Sequence, residues 1–223
     1  MKKVIAVTGA FGALGSVVVR SLAAHGYTVA AFDIGPERAV EGAELVFGGV
    51  DFADPSAVDH AFAQLASSGM PLGGLVNIAG GFAWEKVGGG DIATWDRMYA
   101  INLRTAANAC MAAIPLLSPK AAIINIGAMG ALLPGAGMAP YAASKAGVAA
   151  LTMSLAAELK VSHIQVNAIL PSIIDTPANR RDMPEADARQ WVSPESLAGI
   201  IAFLLSDAAS SISGALIPVG GPA

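Results

Sequence analysis

The chain has 223 residues, a length that suits one α/β domain, and its 54% apolar content is ample for a buried core. Charged residues are only 13%, with 13 Lys+Arg against 17 Asp+Glu and no basic run, which excludes disorder and the footprint of a nucleic-acid binder. The single cysteine, Cys110, precludes an internal disulfide, and His25, His60 and His163 are scattered, so we expect no metal and a reducing, cytoplasmic setting.

In chain order, "KVIAVTG" (residues 3–9) reads as a strand closing on a glycine turn, with a helix over 13–25. Met1-Lys2-Lys3 ahead of this apolar run looks outwardly like a secretion signal, but Gly9, Gly12 and Gly15 interrupt it. No stretch reaches the ~20 apolar residues of a membrane span. Strands follow at 28–33 and 43–52, and Asp54 with Pro55 opens a helix as cap and first helical residue. "GGLVNIAGG" (73–81) is a fourth strand, and a helix from about Ile92 to Leu117 leads to the strand at 121–127. A glycine-rich loop precedes the helix at 141–159, and the sixth strand covers 164–171. A polar excursion (172–193), a helix (195–206) and a last strand (215–221) complete the chain. Near-continuous apolar strands alternating with helices predict a Rossmann-type doubly wound parallel sheet of about seven strands in a single domain. Ligands of such sheets sit beyond the carboxyl ends of the strands, in the strand-to-helix loops.

The first such loop is "TGAFGALG", Thr8 to Gly15. Closely spaced glycines between a strand and a helix let the backbone approach a pyrophosphate, whose charge is favoured by the helix N-terminus. Asp33 closes the second strand, where a carboxylate can accept hydrogen bonds from ribose hydroxyls and would repel a 2'-phosphate. NAD is therefore expected over NADP, although Arg38 lies five residues on. Tyr141 and Lys145, four apart, share one helix face, and an ammonium there favours the phenolate of a general acid-base Tyr.

Together "TGAFGALG", "NIAGG" (77–81), "YAASK" (141–145) and "LPSIIDTP" (170–177) resemble the short-chain dehydrogenase/reductase family over essentially the whole chain. The resemblance implies that Tyr141 is the general acid or base, that Lys145 also holds the nicotinamide ribose, and that Asn102 orients Lys145 through water. It further implies cofactor contacts at Gly9, Gly12, Ala13, Leu14 and Gly15, with Ala13 standing where the family's second glycine falls. Asp51 and Phe52 match the segment at adenine. Asn77, Ala79 and Gly80 match the strand end beside the adenosine ribose, and Pro171, Ile173 and Thr176 match the loop around the carboxamide.

The family's substrate-polarising Ser normally stands 13 residues before the Tyr, and that position is Ala128. Losing one such donor commonly costs about 2.7–4 kcal/mol of transition-state stabilisation. Both departures recur in the dihydropteridine reductase branch, which is also similar in "GALGS", "AGGF" and above all "DTPANRRDMPEADARQW" (175–191). That resemblance implies NADH-dependent reduction of a quinonoid dihydropterin, an electron-poor ring that needs little carbonyl polarisation. Phe82 and Trp84, beyond the fourth strand, are candidates to stack on such a ring, and the segment at about 174–193 is a candidate lid. Two alternatives stand beside this one. One is a carbonyl reductase or alcohol dehydrogenase in which Ser144, Ser172 or a backbone N–H replaces the absent Ser; the other is a dinucleotide-binding protein without activity. Ala-rich, apolar helices at 92–117 and 141–159 suggest a homodimer or homotetramer, as similar helices do in this family.

Overall fold

Alternation along the first strand explains why the sheet lies between two apolar layers. In the computed structural model of the protein, which describes residues 3–222, Val4 and Ala6 of β1 (Val4–Thr8) join one core, and Ile5 and Val7 join the other. Met1 and Lys2, the start of the signal-like segment, lie outside the described residues. A strand apolar on both faces needs helices on both faces. Residues of α1 (Ala13–Ala24) and α7 (Pro194–Leu204) cover one side, and those of α2 (Pro55–Ser67), α4 (Thr105–Ala113) and α5 (Ala139–Glu158) the other. Phe32 is the centre of an aromatic cluster, stacked on Phe47 at 4.5 Å and Phe62 at 5.2 Å between ring centroids, with Phe52 edge-on. Aromatic pairs of this kind add about 0.5–1.5 kcal/mol each beyond the area they bury.

The other strands are β2 (Thr28–Phe32), β3 (Leu45–Phe47), β4 (Leu72–Asn77), β5 (Leu117–Ile126), β6 (Gln165–Pro171) and β7 (Leu216–Val219). All seven run parallel in the order β3-β2-β1-β4-β5-β6-β7. The chain winds one way from β1 to β3 and the other way from β4 to β7, so the carboxyl ends of β1 and β4 flank the switch point where a crevice opens. Asp54 caps α2 as expected, accepting from the Ser56 N–H at 2.9 Å.

Several element boundaries differ from the sequence reading; β4 ends at Asn77 rather than at 81. β3 is shorter because the chain leaves the sheet at Gly48, whose missing Cβ would fall 2.2 Å from the Glu37 nitrogen. The helix expected over 92–117 divides into α3 (Ile92–Met98), a π-helical turn (Tyr99–Arg104), α4 and a 3-10 turn at Ile114–Leu116. β5 begins earlier, at Leu117, but the register slips between the Leu72–Leu117 and Gly74–Ala122 pairs, where Pro119 has no N–H and Lys120 has φ 61. The polar excursion contains α6 (Pro177–Asp182), capped by Thr176, and a 3-10 turn at Ala188–Gln190. Its two feet are pinned together, with the Val192 N–H donating to Ile173 O and the Asp175 N–H to Val192 O, both at 2.8 Å.

Candidate active site

The crevice is built first by backbone proximity. Thr8 Oγ1 at the end of β1 accepts the Ile78 and Ala79 N–H groups at 3.1 and 3.2 Å, which ties β1 to the loop leaving β4. Gly9 has φ +65, and a Cβ there would lie 2.8 Å from the Ala79 nitrogen; one on Gly15 would lie 2.1 Å from Gly9 O. The loop is thus folded hard onto its own helix. Gly12, by contrast, is exposed at the amino end of α1 and caps it with no side-chain bond, so the first-turn N–H groups are left to an anion.

A cavity of about 450 Å³ lies over this loop. Of the residues the sequence points to, Gly9, Gly12, Ala13, Leu14, Gly15, Asp33, Asp51, Phe52, Ala79, Gly80 and Thr176 line it. Ile34, Val50, Ile78, Ile101, Thr105 and Ala178 also line it and were not singled out, because nothing in an isolated apolar residue distinguishes a cleft wall from a core. Asn77 does not reach the cavity. Its side chain is buried behind it, with Nδ2 donating to Asn125 Oδ1 at 2.8 Å across the β4–β5 pair. Pro171 and Ile173 also stand outside the cavity wall, at the end of β6 and just beyond it.

Asp33 is held by the backbone, Oδ2 accepting from Phe11 N–H and Oδ1 from Gly35 N–H, each at 2.9 Å. A carboxylate offers about four acceptor positions, so capacity remains for hydroxyl groups. Arg38 grips the other side of the same residue, donating from Nη2 to Phe11 O at 2.8 Å with its guanidinium 5.2 Å from the Phe11 ring centre. A further support that the sequence reading lacks is Asn108 on α4, whose Nδ2 donates to Phe52 O at 2.9 Å.

The Tyr and Lys lie on α5. Lys145 is buried, and its Nζ donates to Ile126 O at 2.7 Å, tying the helix to the end of β5. Burial pushes its ammonium down to about 8 and the Tyr141 phenol up to about 12. The Tyr141 ring meets the Phe82 ring nearly perpendicularly, 4.9 Å between centroids. Asn102, inside the π-helical turn, is buried; its amide donates to Gly81 O and accepts from Gly81 N–H, both at 3.0 Å. The side chain is thus spent on the β4–α3 loop and on Ser144 rather than on Lys145 directly. A Cβ on Gly80 would lie 2.6 Å from Asn102 Oδ1 and 3.5 Å from Lys145 Nζ, so both groups stand behind this wall; like Tyr141, Phe82, Trp84 and Ala128, they lie outside the cavity lining itself.

Ala128 is buried just past β5, on extended backbone ahead of a 3-10 turn. Ser144 does not stand in for a hydroxyl at that position. Its Oγ donates to Tyr141 O at 2.7 Å and accepts from Asn102 Nδ2 at 3.1 Å. The backbone N–H of Ser172 donates to Val219 O at 2.9 Å, which leaves the Ser172 hydroxyl free of that bond.

Comparison with known proteins bears on this arrangement. Nodulation protein G of Azospirillum brasilense is 30% identical, aligned over 99% of this chain and 97% of that protein. The 3beta-hydroxysteroid dehydrogenase 1 of Eggerthella lenta is 32% identical over 98% of this chain and 92% of its own length. Among solved structures, a blue fluorescent protein from a metagenomic library in complex with NADPH superposes with a TM-score of 0.88 at 30% identity, covering 98% of this chain and 96% of that one. The family model for short chain dehydrogenase matches residues 3–187, from the first strand through Tyr141 and Lys145 into the polar segment. The chain therefore belongs to the short-chain dehydrogenase/reductase family and is an NAD(P)-dependent oxidoreductase.

Proposed function

We propose that the protein reduces an electron-poor conjugated ring of the quinonoid dihydropterin type, with NADH as reductant and Tyr141 as proton donor. Ala128 carries this reading. A ketone needs a donor at the oxygen where charge develops, whereas a ring already short of electrons needs it less, and one candidate hydroxyl, Ser144, is committed to backbone.

The cleft suits a dinucleotide on its own features: an uncapped helix end beside Gly12, close backbone approach at Gly9 and Gly15, and a carboxylate at Asp33. The glycine loop would hold the pyrophosphate, Asp33 and Ala79 the adenosine ribose, Asp51 and Phe52 the adenine, and Pro171, Ile173 and Thr176 the carboxamide end. When bound, the reduced nicotinamide supplies hydride. Tyr141, protonated at neutral pH like any phenol and pushed by burial further up, to about 12, donates the proton. Lys145, still largely an ammonium at pH 7, stabilises the phenolate that remains. Phe82, edge-on to Tyr141, forms a wall for a planar substrate. The segment over 174–193 acts as the lid: its feet are pinned, while Thr176 and Ala178 near its start line the cavity.

One observation favours a second reading, in which the substrate is an alcohol or ketone. The 32%-identical relative is named as a hydroxysteroid dehydrogenase. Ala128→Ser separates the two. On the pterin reading it raises kcat/KM for ketones by about tenfold or more and changes quinonoid dihydropterin turnover by less than about threefold. An equal gain on both would favour the carbonyl reading.

For association, Ala143, Ala146, Ala150, Met153 and Ala157 form an exposed stripe along α5, and Met111 on α4 is 72% exposed. These small and apolar faces support a homodimer or homotetramer.

A further inference from the structure

The loop after β4 and the loop before α5 are fastened together by consecutive residues of one short segment. Trp84 donates from Nε1 to Ala136 O at 2.9 Å, and the Glu85 N–H donates to Gly137 O at 2.8 Å. Gly137 has φ +77, and a Cβ there would lie 2.2 Å from Trp84 Cε2, so the indole lies flush on a position that only glycine leaves open. Glu85 is anchored in turn, Oε1 accepting from Asp91 N–H at 2.8 Å and Oε2 from the Thr94 hydroxyl at 2.9 Å at the start of α3. Two residues before Trp84, Phe82 presents its ring to Tyr141.

α5 has little of its own to fix where it starts. Its cap residue, Met138, makes no side-chain bond to the first turn; Pro140 presets the helical φ there but ties the turn to no other element. Tyr141 lies in this same first turn. Just ahead of it the Met138 N–H donates to Gly135 O at 3.2 Å within the turn, and the bonds that tie this turn to the β4–α3 loop come from Trp84 and Glu85.

We infer that Trp84 is a positioning residue for Tyr141: by clasping residues 136 and 137 it sets the start of α5 and so the place of the phenol. This rests on Tyr141 being the proton donor proposed above. Although 58% of the Trp84 surface is exposed, its one polar atom and one ring edge are used by the 136–137 turn. The ring therefore acts through α5, not by following a substrate, and its loss lowers kcat more than it raises KM.

Two variants test this. Trp84→Phe keeps a ring and loses the N–H bond; Trp84→Ala loses both. In the enzyme without substrate, hydrogen exchange in a peptide covering residues 139–145 should rise about fivefold in Trp84→Phe, the effect of one lost hydrogen bond, and further in Trp84→Ala. With NADH and quinonoid 6,7-dimethyldihydropterin, kcat should fall about tenfold or more in Trp84→Ala while KM and NADH affinity move less than about threefold. Unchanged exchange at 139–145, or a raised KM at constant kcat, would overturn the proposal. Should the wild type not reduce the pterin, the substrate reading fails alone. The exchange experiment still decides: a local rise with an unchanged melting profile in Trp84→Phe supports the clasp, and none refutes it.

Discussion

Ala128 matters for what a methyl group cannot do, and its neighbours show why the sequence could expose this gap but not how the rest of the site closes around it. Tyr141, Lys145 and Ala128 are legible because their spacing is fixed within or next to one helix. The tertiary partners of Asn77, Asn102 and Ser144 are not, because Asn125, Gly81 and the Asn102–Ser144 pair lie more than 20 residues from their mates and become near only when β4, β5 and α5 assemble. Asp33 and Arg38 face one another across the Phe11 peptide, so they compete for the same cofactor choice. Removing the carboxylate in Asp33→Ala should raise the NADPH/NADH ratio of kcat/KM by about tenfold or more, as a repulsion is lost while the guanidinium stays. A ratio unchanged from wild type would show that Asp33 is not the selector. Lys145 makes a separate prediction. Its ordinary value of 10.5 applies to the unfolded chain and about 8 to the fold, so below pH 8 the fold carries the full cost of a buried ammonium. Between 8 and 10.5 the unfolded chain holds a proton that the fold has lost, and stability rises with pH through that window. Lys145→Met removes this dependence. Relative to wild type it should be more favourable at pH 7 than at pH 10 by about 2 kcal/mol in urea melts. Equal differences at the two pH values would contradict it.

Among the elements, the long helix expected between 92 and 117 is the most instructive departure. Pro115 accounts for the helix ending near Ile114, but propensity alone gives no reason to widen a turn at 99–104. The π-helical turn at Tyr99–Arg104 is where buried Asn102 pairs with Gly81 and Ser144, which are tertiary partners. The polar excursion was visible as a break in periodicity, but its pinned feet were not, since the Ile174–Val192 bridge joins residues with no local pattern between them. The same holds for Trp84: a lone aromatic after a strand gives no sign that Gly137, 53 positions later, is shaped to receive it.

For the molecule as a whole, sheet order and the place of the crevice follow from the alternation of apolar strands with helices, and all seven expected strands are present in one parallel sheet. What alternation cannot supply is the association of copies, because a helix apolar all round reads alike whether its outer face meets another chain or water. Sedimentation should return a dimer or tetramer, and Ala146→Arg on the exposed stripe of α5 should shift it toward monomer; a monomeric wild type would remove that proposal. The central claim is that a fold with Tyr141 and Lys145 in place but no hydroxyl at Ala128 serves an electron-poor ring. Its most direct test is steady-state turnover of quinonoid dihydropterin against a panel of ketones, with NADH, for the wild type and Tyr141→Phe. Expected is a kcat/KM for the pterin at least about a hundredfold above any ketone, the worth of one absent donor, and a large loss in Tyr141→Phe. Turnover of the pterin no faster than the uncatalysed background, with ketones reduced well, would contradict it.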